Sequence, residues 1–259
     1  MKKEKLKGHI KKQYGIIARN EQNSCCVNSC GCSGNNDISD ISKMLGYSEN
    51  DFFDIPYEAN MGLGCGNPTA FALLKKGEVV LDLGSGGGID CFLARKLVGE
   101  EGFVYGVDMT IDMIELANKN LEKSKYKNIE FRLGEIESLP INDNVIDVII
   151  SNCVINLSVD KRLVFKESYR VLKKNGRLSI SDIVEIKPLP KIYKKDLNLI
   201  SSCISGASNI EDIRKILEEV GFYNIKLTIK ENSKEIISNW VPNKGLEDYI
   251  VSVMIEATK

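Results

Sequence analysis

The chain has 259 residues and a formal net charge of −1, with 35 basic side chains set against 36 acidic ones. That length holds one large α/β domain with an appendage, or at most two domains, and the balanced charge argues against electrostatic capture of nucleic acid or anionic membrane. The basic start MKKEKLKGHIKKQYG lacks the apolar core of a secretory signal, and no apolar run is long enough to span a bilayer, so a cytoplasmic protein is expected. In that setting eight cysteines serve chemistry or metal binding rather than a disulfide scaffold.

In chain order, residues 1–24 read as a charged, partly helical arm, and residues 25–36, CCVNSCGCSGNN, as a thiol-rich loop. The C-C-x3-C-x-C spacing of that loop lacks the two separated C-x2-C knuckles of a strong zinc site. Short helices are expected near 38–45 and 67–74. From Glu78 a βα alternation begins, with strands near 78–83, 103–107, 128–133, 145–151 and 177–184. The tail adds helices near 191–201 and 210–220, the second closed by Gly221, and strands near 222–230 and 248–256. The pattern predicts an α/β protein with a mostly parallel, doubly wound, Rossmann-like sheet. Residues 1–66 are expected to form a cysteine-bearing arm. Residues 67–259 form the main domain, with a small α/β extension at its C-terminal end.

The segment EVVLDLGSGGGID at 78–90 encodes a buried strand, a tight turn and a helix start. Asp82 ends the strand, and Gly84, Ser85, Gly86 and Gly88 form a turn that lets a nucleotide-like ligand approach the backbone and the free N–H groups of the helix. A dinucleotide fingerprint needs a glycine where Ile89 stands. The second strand, FVYGVD, ends in Asp108, which is placed for both ribose hydroxyls. The carboxyl ends of the strands should gather Asp108, Met109 and the GEIESLP loop. There Glu135 would accept the adenine amino hydrogens and the Ile136 backbone would meet a ring nitrogen. The fourth strand delivers Asn152 and Cys153 to the same rim. Cys65, in GLGCGNP, and Cys203, in SSCISGA, lie outside any apolar period, whereas Cys91 belongs to an apolar helix face with Phe92, Leu93 and Leu97 and reads as core. The single histidine, His9, excludes a Ser-His-Asp triad and a multi-histidine metal site.

An acidic strand end followed by G-x-G-x-G resembles the S-adenosylmethionine loop of class I methyltransferases. The conjunction narrows further. GCGNP at 64–68, VVLDLGSGGGIDCFLA at 79–94, GVDMT at 106–110, FRLGEIESLP at 131–140, DVIISNCVINLS at 147–158, GRLSISDIV at 176–184 and CISGA at 203–207 resemble an arsenite S-adenosylmethionine methyltransferase of the short microbial type, from about Tyr14 onward. The resemblance implies that Cys65, Cys153 and Cys203 hold As(III) as thiolates while S-adenosylmethionine donates methyl groups to arsenite and methylarsenite, a detoxifying reaction. Soft sulfur suits soft arsenic, whose lone pair is itself the nucleophile, so no strong base is required. The family also carries an N-terminal cysteine that assists reduction, matched here by Cys25 or Cys26. Paired with Cys65, either would return electrons to arsenic and be re-reduced by thioredoxin or glutathione. Compared with longer members, the resemblance implies a chain without their extended C-terminal portion. Two rivals differ in testable ways. A methyltransferase for another small molecule, such as a quinone, needs neither Cys153 nor Cys203. A non-catalytic thiol-rich metal-binding protein survives damage to Gly84 or Asp108.

Overall fold

The computed structural model describes residues 3–19, 42–194, 204–240 and 244–259. The thiol-rich loop with Cys25 and Cys26, the segment with Cys203, and the expected helix beyond Lys194 lie outside the described residues.

Among the described residues eight strands form one sheet: β1 (Val79–Leu83), β2 (Phe103–Asp108), β3 (Ile129–Leu133), β4 (Ile146–Asn152), β5 (Leu172–Glu185), β6 (Ser208–Asn209), β7 (Tyr223–Ile229) and β8 (Ile250–Thr258). The order is β3-β2-β1-β4-β5-β8-β7, with β6 paired to the end of β5. Neighbours from β3 to β5 are parallel, and β8 runs antiparallel to both β5 and β7. The order reverses between β1 and β4, so the crevice outside their carboxyl ends is where a ligand binds. The strand interiors are continuous apolar runs because helices cover both faces; Val80, Leu81, Val148, Ile149 and Ile150 are fully buried.

The helices are α1 (Lys3–Ala18), α2 (Pro68–Phe71), α3 (Ile89–Val98), α4 (Ile111–Lys123), α5 (Lys161–Val171), α6 (Lys191–Lys194), α7 (Ile210–Val220) and α8 (Ser233–Trp240). Local chemistry fixes their ends. Asn67 caps α2 by accepting from the Ala70 N–H, with Pro68 at the first helical position. Asp160 caps α5 through the Leu163 N–H, and Gly221 closes α7 in the left-handed conformation, φ +113°.

Besides the two-residue β6, which the sequence does not announce, two elements differ from the sequence expectation. β5 begins at Leu172 rather than near 177, because Leu172 pairs with Ile146 across a bulge before the regular register resumes at Val148. Asn175 absorbs a positive φ of +66° inside that stretch, which reads as a turn in sequence. The second difference, α8, was not anticipated. Its buried Ile236 and Ile237 pack into the molecule, while the flanking polar residues hide the apolar period.

Candidate functional site

The glycine turn lies at the switch point. Gly84 adopts φ +73°, and a Cβ there would fall 2.4 Å from the Val154 side chain, so only glycine fits. Gly86, at φ +51°, has nothing within 4 Å of a built Cβ and marks open space for a ligand. The Ser85 hydroxyl oxygen is buried without a partner, an uncommon state that a bound polar group would relieve. Asp108 accepts from the Gly86 N–H at 3.1 Å and the Thr110 N–H at 2.8 Å, tying β2 to the turn.

Buried acid surrounds this turn. Burial and the nearby Asp90 carboxylate push Asp82 well above the usual carboxylate range, with the Cys91 thiol donating to it at 3.4 Å. Burial raises Asp90 to about 6, against the opposing hydrogen bonds of Tyr47 and Asn152. Burial raises Asp108 as well. A cationic ligand would relieve these carboxylates, and S-adenosylmethionine carries both an ammonium and a sulfonium. The unpartnered Ser85 hydroxyl, the room beside Gly86 and this excess of acid therefore fit that molecule. Cys91 is fully buried among core residues, as its sequence reading expects, whereas Leu97, expected on the same face, is 45% exposed.

On the other side of the rim, Glu135 stands on the expected loop and is engaged by α1. Lys7 lies 2.7 Å and Lys11 3.3 Å from its carboxylate, and Lys7 also reaches Glu137 at 3.3 Å. Lys7 thereby holds Glu135 below the usual carboxylate range. Ile136 is buried in the main core, and Met109 packs at the edge of a second apolar cluster.

That second cluster contains the thiols. Cys65, completely buried, and Cys153 pack with Ile10 of α1, Leu157, Ile183, Ile204 and Ile250. The two cysteines are 88 positions apart in sequence, and Ser181 of β5 touches both. Its carbonyl accepts from the Cys153 N–H at 2.8 Å, and its hydroxyl lies 3.3 Å from the Cys65 sulfur. Cys153 holds φ +61°, a strained conformation for a residue other than glycine, at the point where β4 turns into the short helix 155–157. Burial raises Asp182, beside Ser181, to about 6, and the Ile183 N–H donates to its carboxylate at 2.7 Å.

Asn152 joins the two halves. Its side-chain oxygen accepts from the Cys65 N–H at 2.8 Å. Its amide nitrogen donates to Gly66 O at 2.6 Å and to Tyr47 Oη at 3.0 Å, and lies 3.5 Å from Asp90. Tyr47 donates to Asp90 at 2.8 Å. Sequence reasoning placed Asn152 on the cofactor side; its hydrogen bonds here also brace the Cys65 loop. It missed Tyr47, Asp90, Ser181 and Lys230. Asp90, directly behind the glycines at a helix start, was the findable one. Lys230 carried no signal, standing in the charged run KENSK. Among the described residues no group of His, Cys, Asp or Glu is arranged to hold a metal ion, and no helix is long and apolar enough to cross a membrane.

A family model described as a methyltransferase domain matches residues 74–221. The arsenite methyltransferase of Halobacterium salinarum is 42% identical over 99% of this chain and 67% of its own length. The arsenite methyltransferase of Aquipseudomonas alcaligenes is 43% identical over 63% of this chain and 49% of its own, so the chain spans about half of that relative. Among solved structures, an arsenic(III) S-adenosylmethionine methyltransferase from Chlamydomonas reinhardtii aligns with a TM-score of 0.64 at 30% identity. The alignment covers 87% of this chain and 75% of that one. The shared architecture is the class I methyltransferase fold expected from the strand pattern.

Proposed function

The chain belongs to the arsenite methyltransferases, and from that premise we propose that Cys65, Cys153 and Cys203 hold trivalent arsenic as thiolates beside the glycine turn, where the metalloid is methylated. The observation that carries this is the meeting of Cys65 and Cys153 on Ser181, in an apolar cluster that Asn152 links to the acid-lined turn. Cys203 lies outside the described residues; its chain neighbour Ile204, 1% exposed, packs in that same cluster and supports a third sulfur from this segment.

S-adenosylmethionine, when bound, supplies a methyl group on a cationic sulfur. The chain's own residues do the rest. Asp82 and Asp90 present buried negative charge to the donor's positive groups, Ser85 offers its hydroxyl, and Asp108 presents its carboxylate to the ribose. Glu135 reaches the adenine once Lys7 and Lys11 release it. The thiolates fix the arsenic, and the apolar wall of Ile10, Leu157 and Ile250 keeps water out. Because the nucleophile has no proton to lose, catalysis reduces to holding two reactants in line.

Each methyl uses the arsenic lone pair, so arsenic rises from the trivalent to the pentavalent state. Two thiolates return the pair by closing one disulfide, and Cys65 with Cys25 or Cys26 is the pair proposed. Thioredoxin or glutathione then reopens that disulfide, as expected for a cytoplasmic enzyme. Arsenic-edge X-ray absorption tests the ligand set. The reading predicts an all-sulfur first shell in the parent chain and oxygen entering it in Cys153→Ser. An unchanged all-sulfur shell in that variant excludes Cys153 as a ligand.

A further inference from the structure

We propose that Lys230 is a positioning residue for metalloid capture: acting through Ser181, it aims a hydroxyl proton at the Cys65 sulfur and pins the Cys65 main chain. This deepens the functional reading above and rests on it.

Lys230 follows β7, on the far side of the sheet order from the glycine turn, and its N–H pairs with Ser252 O at 3.0 Å. The side chain runs inward. Its Nζ donates to Cys65 O at 3.0 Å and to Ser181 Oγ at 2.7 Å. It occupies the space a side chain at residue 66 would need, since a Cβ on Gly66 would fall 1.4 Å from Nζ. Burial lowers the basicity of Lys230, and the Cys65, Cys153 and Asp90 side chains oppose that shift, which places the ammonium in the field of both thiols.

The protons of this cluster have few places to go. An ammonium only donates, so Ser181 Oγ accepts from Lys230. Ser181 is fully buried, and its own proton then needs an acceptor. The Cys65 sulfur, 3.3 Å away, is the partner in place for it. Were the Cys65 thiol the donor instead, the hydroxyl proton would be stranded in the core. The arrangement therefore holds the sulfur as a hydrogen-bond acceptor and fixes its orientation against Ser181. In capture an As–S bond forms as an As–O bond breaks, and the departing hydroxide leaves as water with the proton of the thiol.

The main chain of Cys65 is clamped on both sides of the side chain. Its N–H goes to Asn152 at 2.8 Å, and its carbonyl takes Lys230 and the Ser252 hydroxyl, each at 3.0 Å. A loop rich in glycine would otherwise leave the sulfur free to wander. Among the described residues, Lys230 touches both the backbone of this residue and the relay to its sulfur.

The test measures arsenite and S-adenosylhomocysteine affinities by calorimetry, with thermal melts, for the parent chain, Lys230→Met, Ser181→Ala and the double variant. Arsenite binding should weaken about tenfold or more in each single variant, as loss of a charge-assisted contact implies. The double variant should be no worse than about either single one, because both changes break one relay. S-adenosylhomocysteine affinity should stay within about twofold throughout. Arsenite affinity within about twofold of the parent in both single variants overturns the proposal, as do strictly additive losses or equal losses of both ligands. If Lys230→Met does not fold, Ser181→Ala decides by the same criteria. A parent chain that binds no arsenite brings down the functional reading itself. Normal parent binding with unaffected variants brings down only the relay.

Discussion

The cofactor end of the crevice and the thiol chamber beside it are built in different ways. The first is nearly contiguous: one strand, one glycine turn and one helix start supply Asp82, Ser85, Gly86 and Asp90, with Asp108 delivered by the next strand. Its ionisable groups are acids, and burial raises all three carboxylates. The chamber is gathered from the loop before β1 and from the ends of β4, β5 and β7, and the charge placed among its sulfurs is the cation of Lys230. Asn152, bonded to the Cys65 loop and to Tyr47 and lying beside Asp90, stands between them. The two regions thus present surfaces of opposite character, joined by one amide.

The sharpest way to separate the halves is Cys153→Ser. It should cut arsenic methylation about a hundredfold or more while S-adenosylhomocysteine still binds, read by product chromatography and calorimetry. Two glycine changes probe the other half. Gly84→Ala should destabilise the whole fold, since its methyl meets Val154 at 2.4 Å. Gly86→Ala should cost only about 1–2 kcal/mol of folding stability yet abolish detectable cofactor binding, because its methyl enters the open ligand space. Equal cofactor binding by Gly86→Ala and the parent would remove the turn from the site.

Smaller changes address the bridge. Asn152→Ala leaves the Cys65 N–H and the Gly66 carbonyl without partners and should cost about 1–3 kcal/mol in a thermal or urea melt. Its effect on methylation should be larger than its effect on cofactor affinity. The acids predict a pH dependence. With Asp90 raised from 3.8 to about 6, the folded chain binds more protons than the unfolded one between those values. The ligand-free stability therefore falls as pH rises through that window. Affinity for a cationic donor runs the other way, weakening as Asp90 protonates below about 6. Donor affinity that is flat between pH 5 and 8 in calorimetry would separate Asp90 from the cofactor. The least effect is expected from Lys7→Ala, whose part-exposed pairs with Glu135 and Glu137 contribute at most about 1 kcal/mol. Its melting shift should vanish in about 1 M salt.

The same contrast explains what was legible in the sequence. β1, the glycine turn and α3 were readable because strand period, turn chemistry and helix start fall within 78–98, and Gly221 announced its helix end directly. The thiol chamber was visible only as separate cysteines in unusual contexts, since nothing in the spacing of Cys65 and Cys153 says that Ser181 joins them. Lys230 was invisible for a physical reason: its ammonium is useful only where Gly66 leaves space, and that pairing spans more than half the chain. The bulge that lengthens β5 escaped for a similar reason, as KKNG carries turn residues and only the pairs on either side of it, Leu172 with Ile146 and Arg177 with Val148, carry the strand through. α1 was foreseen as a charged, partly helical arm, but the burial of Ile10 against the chamber comes from packing.

The most direct test of the account follows labelled methyl from S-adenosylmethionine to arsenite, with a thiol reductant present, for the parent chain and a Cys153→Ser, Cys203→Ser double variant. The account predicts labelled methylarsenicals from the parent and none above background from the variant. Full turnover by the double variant would contradict it.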